Sequence, residues 1–412
     1  MNFEVDRDTL EKEIEELASI SDAEPPAVTR IVFSPTDLKA RTWLIARCEK
    51  AGLAVRQDAI GNIFARWNGS EPSAAAVGTG SHIDAIPNAG KYDGVVGVLG
   101  GLEAIRSLQR SGFRPKHSIE LLLFTSEEPT RFGIGCLGSR LLSGTLLPTA
   151  ARKLVDKDGV SLEEVRRNAG LAGQLEEVKL PRDYYKAFLE LHIEQGPLLE
   201  QQKIPLGIVT SIAAPASFRI SIEGAGGHAG GMLMPDRRDA LCAAAELILA
   251  IESAAKKSGA IDTVATVGIC DVFPGAVNSI PSRVNLTLDI RDTSLERREA
   301  ALRGIEAARQ SIASKRQVAI REELVNADAP AQCAPAIVEA LSQSCSKHQL
   351  AFIFMVSRAY HDSLFMSRIA PVAMLFIPCR NGYSHRPDEY ASPEDIERGV
   401  LVLAETIATL AA

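Results

Sequence analysis

The sequence predicts an α/β protein in two parts: a larger domain built on a mostly parallel sheet, and a smaller ferredoxin-like α+β domain inserted into it. Three observations carry this. At 412 residues the chain is too long for one ordinary core. From residue 75 to 200, apolar strand-like runs alternate with helical runs, the pattern of a parallel sheet covered by helices. From 213 to 326 the order changes to β-α-β-β-α-β, that of a split βαβ unit. Residues 1–212 and 327–412 therefore form one discontinuous domain, with 213–326 as the insert.

The elements follow in chain order. Residues 1–19 are amphipathic with helical period; Pro25, Pro26 and Pro35 break the pattern, and 37–51 resumes it. AAAVGTGSHID is a strand leading to His82. GVLGGLEAIRSLQRSG is a helix with one apolar face. SIELLLFTSEE is a buried strand ending at Glu127 and Glu128, and AFLELHIEQG another ending at His192. In the insert, ASFRISIEG, IDTVATVGICDV, SRVNLTLDIRD and VAIREELV are strands, separated by helices over 236–259 and 295–316. The tail returns to helix, the buried strand PVAMLFIP, and helix. In parallel sheets, sites collect beyond the carboxyl ends of strands, where these His and Glu residues fall.

Composition narrows the function. With 46% hydrophobic and 24% charged residues the chain is globular in type. Its net charge of -7, with no Lys/Arg block, argues against nucleic acid or anionic membrane as partner. Seven scattered cysteines with no CxxC pair read as reduced thiols. The N-terminus, MNFEVDRDTLEKEIEEL, lacks the apolar core of a signal peptide, and no run is long enough to span a bilayer. The expected location is the cytoplasm. GVVGVLGG is not GxGxxG and follows no strand at the right distance; its glycines are expected to let a helix pack close on the sheet.

The chemistry concentrates in a few segments. SHIDAIPNAGKYDG holds His82, Asp84 two residues on, and Asp93 in a Gly-bounded loop. A metal-bound His donates its second ring N–H to a carboxylate or carbonyl, the part open to Asp84. TSEEPTRFG pairs Glu127 with Glu128; on extended backbone they point to opposite sides, so one acid can bind metal while the other stays free as a base. LELHIEQGP carries His192, Glu194 and Gln195, and GYSHRPDEY sets His385 in a loop. Five N/O ligands (His82, Asp93, Glu128, His192, His385) exceed one tetrahedral site and suggest two divalent metals sharing a carboxylate, a centre suited to hydrolysis. GAGGHAGG surrounds His228 with glycines, and NSIPSRVNLTLDIRD carries Asn278 and Arg291, whose fork fits a carboxylate. Taken singly, each has a plainer reading: a solvated loop Asp, an acidic patch, a core histidine, a hairpin tip, an ion pair of Arg291 with Asp289 or Asp292.

Taken in order, SHIDAIPNAGKYDG, FTSEEPTRFG, LELHIEQGP, GGHAGG, VNSIPSRVNLTLDIRD and GYSHRPDEY resemble the hydantoinase/carbamoylase amidases, dimetal amidohydrolases on the aminoacylase-like metallopeptidase scaffold. The resemblance spans residues 29 to 405. It implies a metallopeptidase-like catalytic domain with the insert as lid and dimer contact. It implies that His82 and His192 bind opposite metals bridged by Asp93, with Glu128 and His385 completing the sites. Glu127 becomes the general base; Gln195, Asn278, Arg291 and His361 grip substrate; His228 stabilises the oxyanion, reaching it from the partner subunit of a homodimer. The substrates of this family are ureido compounds. Two departures, AGGMLMPDRRDA after His228 and SRAYHDSLFMSR around His361, bring the chain nearest the branch that hydrolyses ureidoglycolate, with Mn2+ favoured over Zn2+ or Co2+. The alternatives are an N-carbamoyl-L-amino-acid hydrolase, an allantoate amidohydrolase, or a catalytically silent binding protein on the same scaffold.

Overall fold

In the computed structural model, which describes residues 3–412, four strands run parallel at the centre of a nine-stranded sheet. In spatial order they are Val372–Ile377, Tyr185–Ile193, Ala76–Ser81 and Ile119–Leu123. Except for Lys186 every residue of the four is buried, as expected of strands covered on both faces.

The flanks run the other way. Ile63–Trp67 pairs antiparallel with Ile119–Leu123, Ala54–Gln57 pairs antiparallel with Ile63–Trp67, and Leu206–Ile212 pairs antiparallel with Val372–Ile377. The sheet is therefore mixed, not mostly parallel. A parallel neighbour needs a crossover of a dozen or so residues, whereas the short link from Gln57 to Ile63 permits only a hairpin.

Helices cover the sheet. Val95–Arg110 lies on it so closely that a Cβ on Gly97 would sit 2.5 Å from the Leu191 carbonyl oxygen, the close packing expected of GVVGVLGG. Pro393–Ala411 packs beside it, capped by Ser392, whose side chain accepts the Asp395 N–H. The first helix spans Arg7–Ala18 with Asp6 as its cap, shorter than the expected 1–19; residues 1 and 2 of that span lie outside the described residues. The second spans Pro35–Lys50, capped by Ser34.

The chain divides into two compact units, one comprising the residues up to Thr210 together with Gln332–Ala412, the other Ser211–Ala331. The second unit is an antiparallel sheet in the order Val264–Thr266, Arg283–Asp292, Ala214–Glu223, Ala319–Ala327. Helices Ala240–Lys257 and Leu295–Arg316 cover one face. The helix Ala240–Lys257 joins two strands that Arg283–Asp292 separates, which is the split βαβ arrangement. Alternate residues Ile220, Ile222, Val284, Leu286, Leu288 and Ile290 turn inward onto Leu247, Ile251 and Ile305. The expected strand IDTVATVGICDV is broken into Val264–Thr266 and Cys270–Phe273.

Candidate metal centre

Four parallel strands deliver their carboxyl ends to one edge of the sheet. His82 follows Ala76–Ser81, Glu127 and Glu128 follow Ile119–Leu123, His192 is the penultimate residue of Tyr185–Ile193, and His385 lies in the loop after Val372–Ile377. Asp93 arrives separately, two residues ahead of helix Val95–Arg110.

Asp93 stands at the middle. Its Oδ1 lies 3.1 Å from His192 Nε2 and 3.6 Å from His82 Nε2. Its Oδ2 lies 3.2 Å from His385 Nε2, which is itself 3.2 Å from Glu128 Oε1. Two ligand groups result, His82–Asp93–His192 and Asp93–Glu128–His385, each with its donor atoms within 4.8 Å. The grouping corrects one expectation: His82 and His192 share one side of Asp93 and do not flank it. All five residues are buried except His385, 46% exposed.

The donor atoms fit divalent ions. His82 Nδ1 faces the Asp84 carbonyl oxygen at 3.0 Å, and His192 Nδ1 faces that of Ile193 at 2.9 Å. A carbonyl only accepts, so Nδ1 carries the proton in each neutral ring and leaves the Nε2 lone pair on the side of Asp93, where that of His192 accepts the Gly94 N–H at 3.2 Å. The electrostatics agree. Burial works against charging His82, yet Glu127, Asp93 and Asp84 hold it well above the ordinary imidazole range. Burial likewise opposes His192, but Asp93 raises it. Hydrogen bonds to Asp93 and Glu128 push His385 up to about 11. Protons thus stand where cations would be held.

Asp84 supports the site differently from a simple His–carboxylate pair. Its carbonyl orients His82, with its carboxylate 3.7 Å away from Nδ1. The carboxylate instead accepts the main-chain N–H of Glu127 at 3.2 Å and of Glu128 at 3.0 Å. Those two acids lie in a loop, not on extended backbone, because Ser126 takes a left-handed φ of 56°. They still diverge: Glu128 reaches His385, while Glu127 Oε2 lies 3.8 Å from His82 Nε2 and Oε1 accepts the Cys136 thiol at 3.3 Å. Burial, partly offset by His82 and reinforced by Glu128, holds the Glu127 carboxyl well above its usual range. Left-handed φ values at Cys136, Gln195 and His385 repeat the strain of Ser126 around the centre.

The profile of the peptidase family M20/M25/M40 matches residues 78–409, the span that holds every one of these groups. The chain belongs to this family. It is 52% identical to a ureidoglycolate hydrolase of Oryza sativa subsp. japonica, over 99% of this chain and 85% of the relative. It is 38% identical to an N-carbamoyl-L-amino-acid amidohydrolase of Paenarthrobacter aurescens, over 97% of both. Among solved structures, AtUAH in complex with glyoxylate matches with a TM-score of 0.87 and 51% identity, covering 99% of this chain and 98% of the other. A hydantoinase/carbamoylase family amidase from Burkholderia multivorans matches with a TM-score of 0.91 and 33% identity, covering 99% and 98%.

Other expected residues of this M20 chain fall in less simple places. Gln195 Nε2 donates to Asp93 Oδ2 at 2.8 Å, so its amide serves the central carboxylate; only its buried Oε1 has no partner. His361 is not an open contact surface. It is 2% exposed, packed edge-on against His192 at 4.6 Å, with Nε2 2.9 Å from Ser357 Oγ. In the second unit, Gly227–His228 pairs with Ser279–Ile280, and the Ala229 N–H donates to the Asn278 carbonyl, so His228 and Asn278 are neighbours. Arg291 pairs with Asp289, Nε to Oδ1 at 2.7 Å. Two further side chains reach Asp93 and its backbone. Ser384 Oγ donates to Asp93 Oδ2 at 2.6 Å, and Glu389 Oε1 accepts the N–H of Tyr92 and Asp93. Both lie inside GYSHRPDEY, beside His385, where an extra hydroxyl and acid were the available signal.

Proposed function

We propose that this chain hydrolyses the ureido amide of ureidoglycolate, releasing ammonia, CO2 and glyoxylate, with two divalent ions per subunit. The observation that carries the reading is the two-sided Asp93, each oxygen facing its own ligand group, with the free acid Glu127 beside it. His82 and His192 would hold one ion and Glu128 and His385 the other, with Asp93 shared. When bound, such ions polarise a carbonyl and acidify water. Glu127 takes the proton from water and returns it to the leaving nitrogen. Its Oε2 is the oxygen turned toward His82, 3.8 Å from Nε2, while Oε1 accepts the Cys136 thiol.

The substrate rests on the relatives named ureidoglycolate hydrolase, more similar to this chain than the carbamoylase. Family resemblance assigns Gln195, Asn278, Arg291 and His361 to substrate, His228 to the oxyanion, and the homodimer contact to residues 213–326. On that resemblance Mn2+ is the expected ion, ahead of Zn2+ or Co2+. Ammonia release with Mn2+ should be measured in parallel from ureidoglycolate, allantoate and N-carbamoyl amino acids. Turnover of ureidoglycolate is expected. Activity on carbamoyl amino acids alone overturns the assignment, and tight binding without turnover indicates a silent scaffold.

A further inference from the structure

Arg30 is 1% exposed, and its guanidinium meets only main-chain carbonyls among its hydrogen-bond partners. Nε and Nη2 donate to Ile20 at 3.0 and 2.9 Å, Nη2 donates to Leu17 at 2.6 Å, and Nη1 donates to Ile83 at 2.6 Å. Burying a cation this completely is costly, and burial pulls its pKa down to about 10. Capping the end of helix Arg7–Ala18 accounts for the bonds to Leu17 and Ile20. It does not account for Ile83, the residue between His82 and Asp84.

That peptide is a sensitive one. Beyond it Asp84 turns its carbonyl to His82 and its carboxylate to the backbone of Glu127 and Glu128. The neighbouring contacts tie the same segments. Strand Val28–Arg30 pairs antiparallel with Ala85–Ala89, Thr29 Oγ1 accepts the Asn88 N–H at 2.8 Å, and Lys91 pairs with Glu15 of the first helix. The segment from His82 to Asp93 is thus clasped along its length by residues 15–30.

We propose that Arg30 is a positioning residue of the metal centre: by pinning the Ile83 carbonyl it sets the angle at which His82 and Asp84 enter the site. The proposal rests on the reading that His82 is a metal ligand. Arg30→Lys keeps the charge but loses the planar fork that spans three carbonyls. The metal-free variant should bind Mn2+ roughly 10- to 100-fold more weakly, the range seen when a ligand's supporting contact is lost. Its Co2+ form should show a displaced visible absorption, and kcat should fall while KM stays put. Thr29→Val, which loosens the same strand pair without touching Ile83, should lower thermal stability but leave the Mn2+ affinity and cobalt spectrum unchanged. A folded Arg30→Lys protein with the parent's affinity and spectrum overturns the proposal.

Should the variant fail to fold, hydrogen exchange of the unmodified protein decides. Adding Mn2+ should slow exchange in residues 17–30 together with 82–93, since coupling between two sites is reciprocal. Slowing in 82–93 but not in 17–30 overturns it. Failure of the parent itself to take up metal would instead defeat the functional reading on which the proposal stands.

Discussion

Asp84 holds Glu128 by its backbone: Oδ2 of the one accepts the N–H of the other at 3.0 Å. Its second oxygen does the same for Glu127. A carboxylate offers two acceptors to this pair of donors, whereas an amide offers one acceptor and presents an N–H to the other donor. Asp84→Asn should therefore weaken metal binding and lower kcat, each by roughly 10- to 100-fold. Metal content after dialysis, read beside turnover with excess Mn2+, checks both; parent-like values for both would dismiss the role.

Glu127 and Glu128 should separate cleanly on mutation. Glu127→Gln should retain two metals and lose about 10^2- to 10^4-fold in kcat, the scale of a lost general base. Glu128→Gln should lose metal, since its oxygen stands with His385 and Asp93. Metal analysis of the two purified variants distinguishes them, and the reverse pattern would exchange their roles.

Gly94 has a φ of 67°, and a Cβ there would sit 2.5 Å from His82 Nε2. Gly94→Ala should displace that ring and strip metal from the His82–Asp93–His192 group, with a backbone cost of about 1–3 kcal/mol besides. Isothermal titration with Mn2+ should show one strong site lost. Two undisturbed sites would contradict this geometry.

Stability should carry a pH signature from Asp58. Burial, opposed by hydrogen bonds from Asn62 and Ile60, pushes its carboxyl up from 3.8 to about 6. Between those values the folded chain binds more protons than the unfolded chain. The stabilisation is full below 3.8 and fades as pH rises through 6. Urea midpoints measured from pH 4 to 7 should lose this fall in Asp58→Asn. Parallel curves for parent and variant would remove Asp58 from the account.

Three of the candidate ligands are legible in sequence because they stand at or just past an apolar run: LLLF before Glu128, AFLEL before His192, MLFIP before the His385 loop; Asp93 is marked instead by its Gly-bounded loop. Burial of the run commits the polar residue at its end to a shared edge. Which side of Asp93 each histidine takes is not legible, since spacing along a chain says nothing about which oxygen a ring will face. Arg30 leaves no pattern either, because its partners are carbonyls that every residue possesses. The antiparallel flank carries a signal in Asp58 and Gly61, a turn between two short strands, which the α/β alternation overrides.

Ser384 meets Asp93 across 291 positions of chain, and the groups around them come from the ends of four strands, three of them between the two residues and one, Ala76–Ser81, ahead of both. No early fragment of the polypeptide contains a complete ligand group around Asp93 Oδ2. During synthesis, that group stays unmade until the segment bearing His385 has emerged and paired its strand Val372–Ile377 with Tyr185–Ile193. An ion held by that group would thus be taken up late, as a seal on a finished fold and not a nucleus for it.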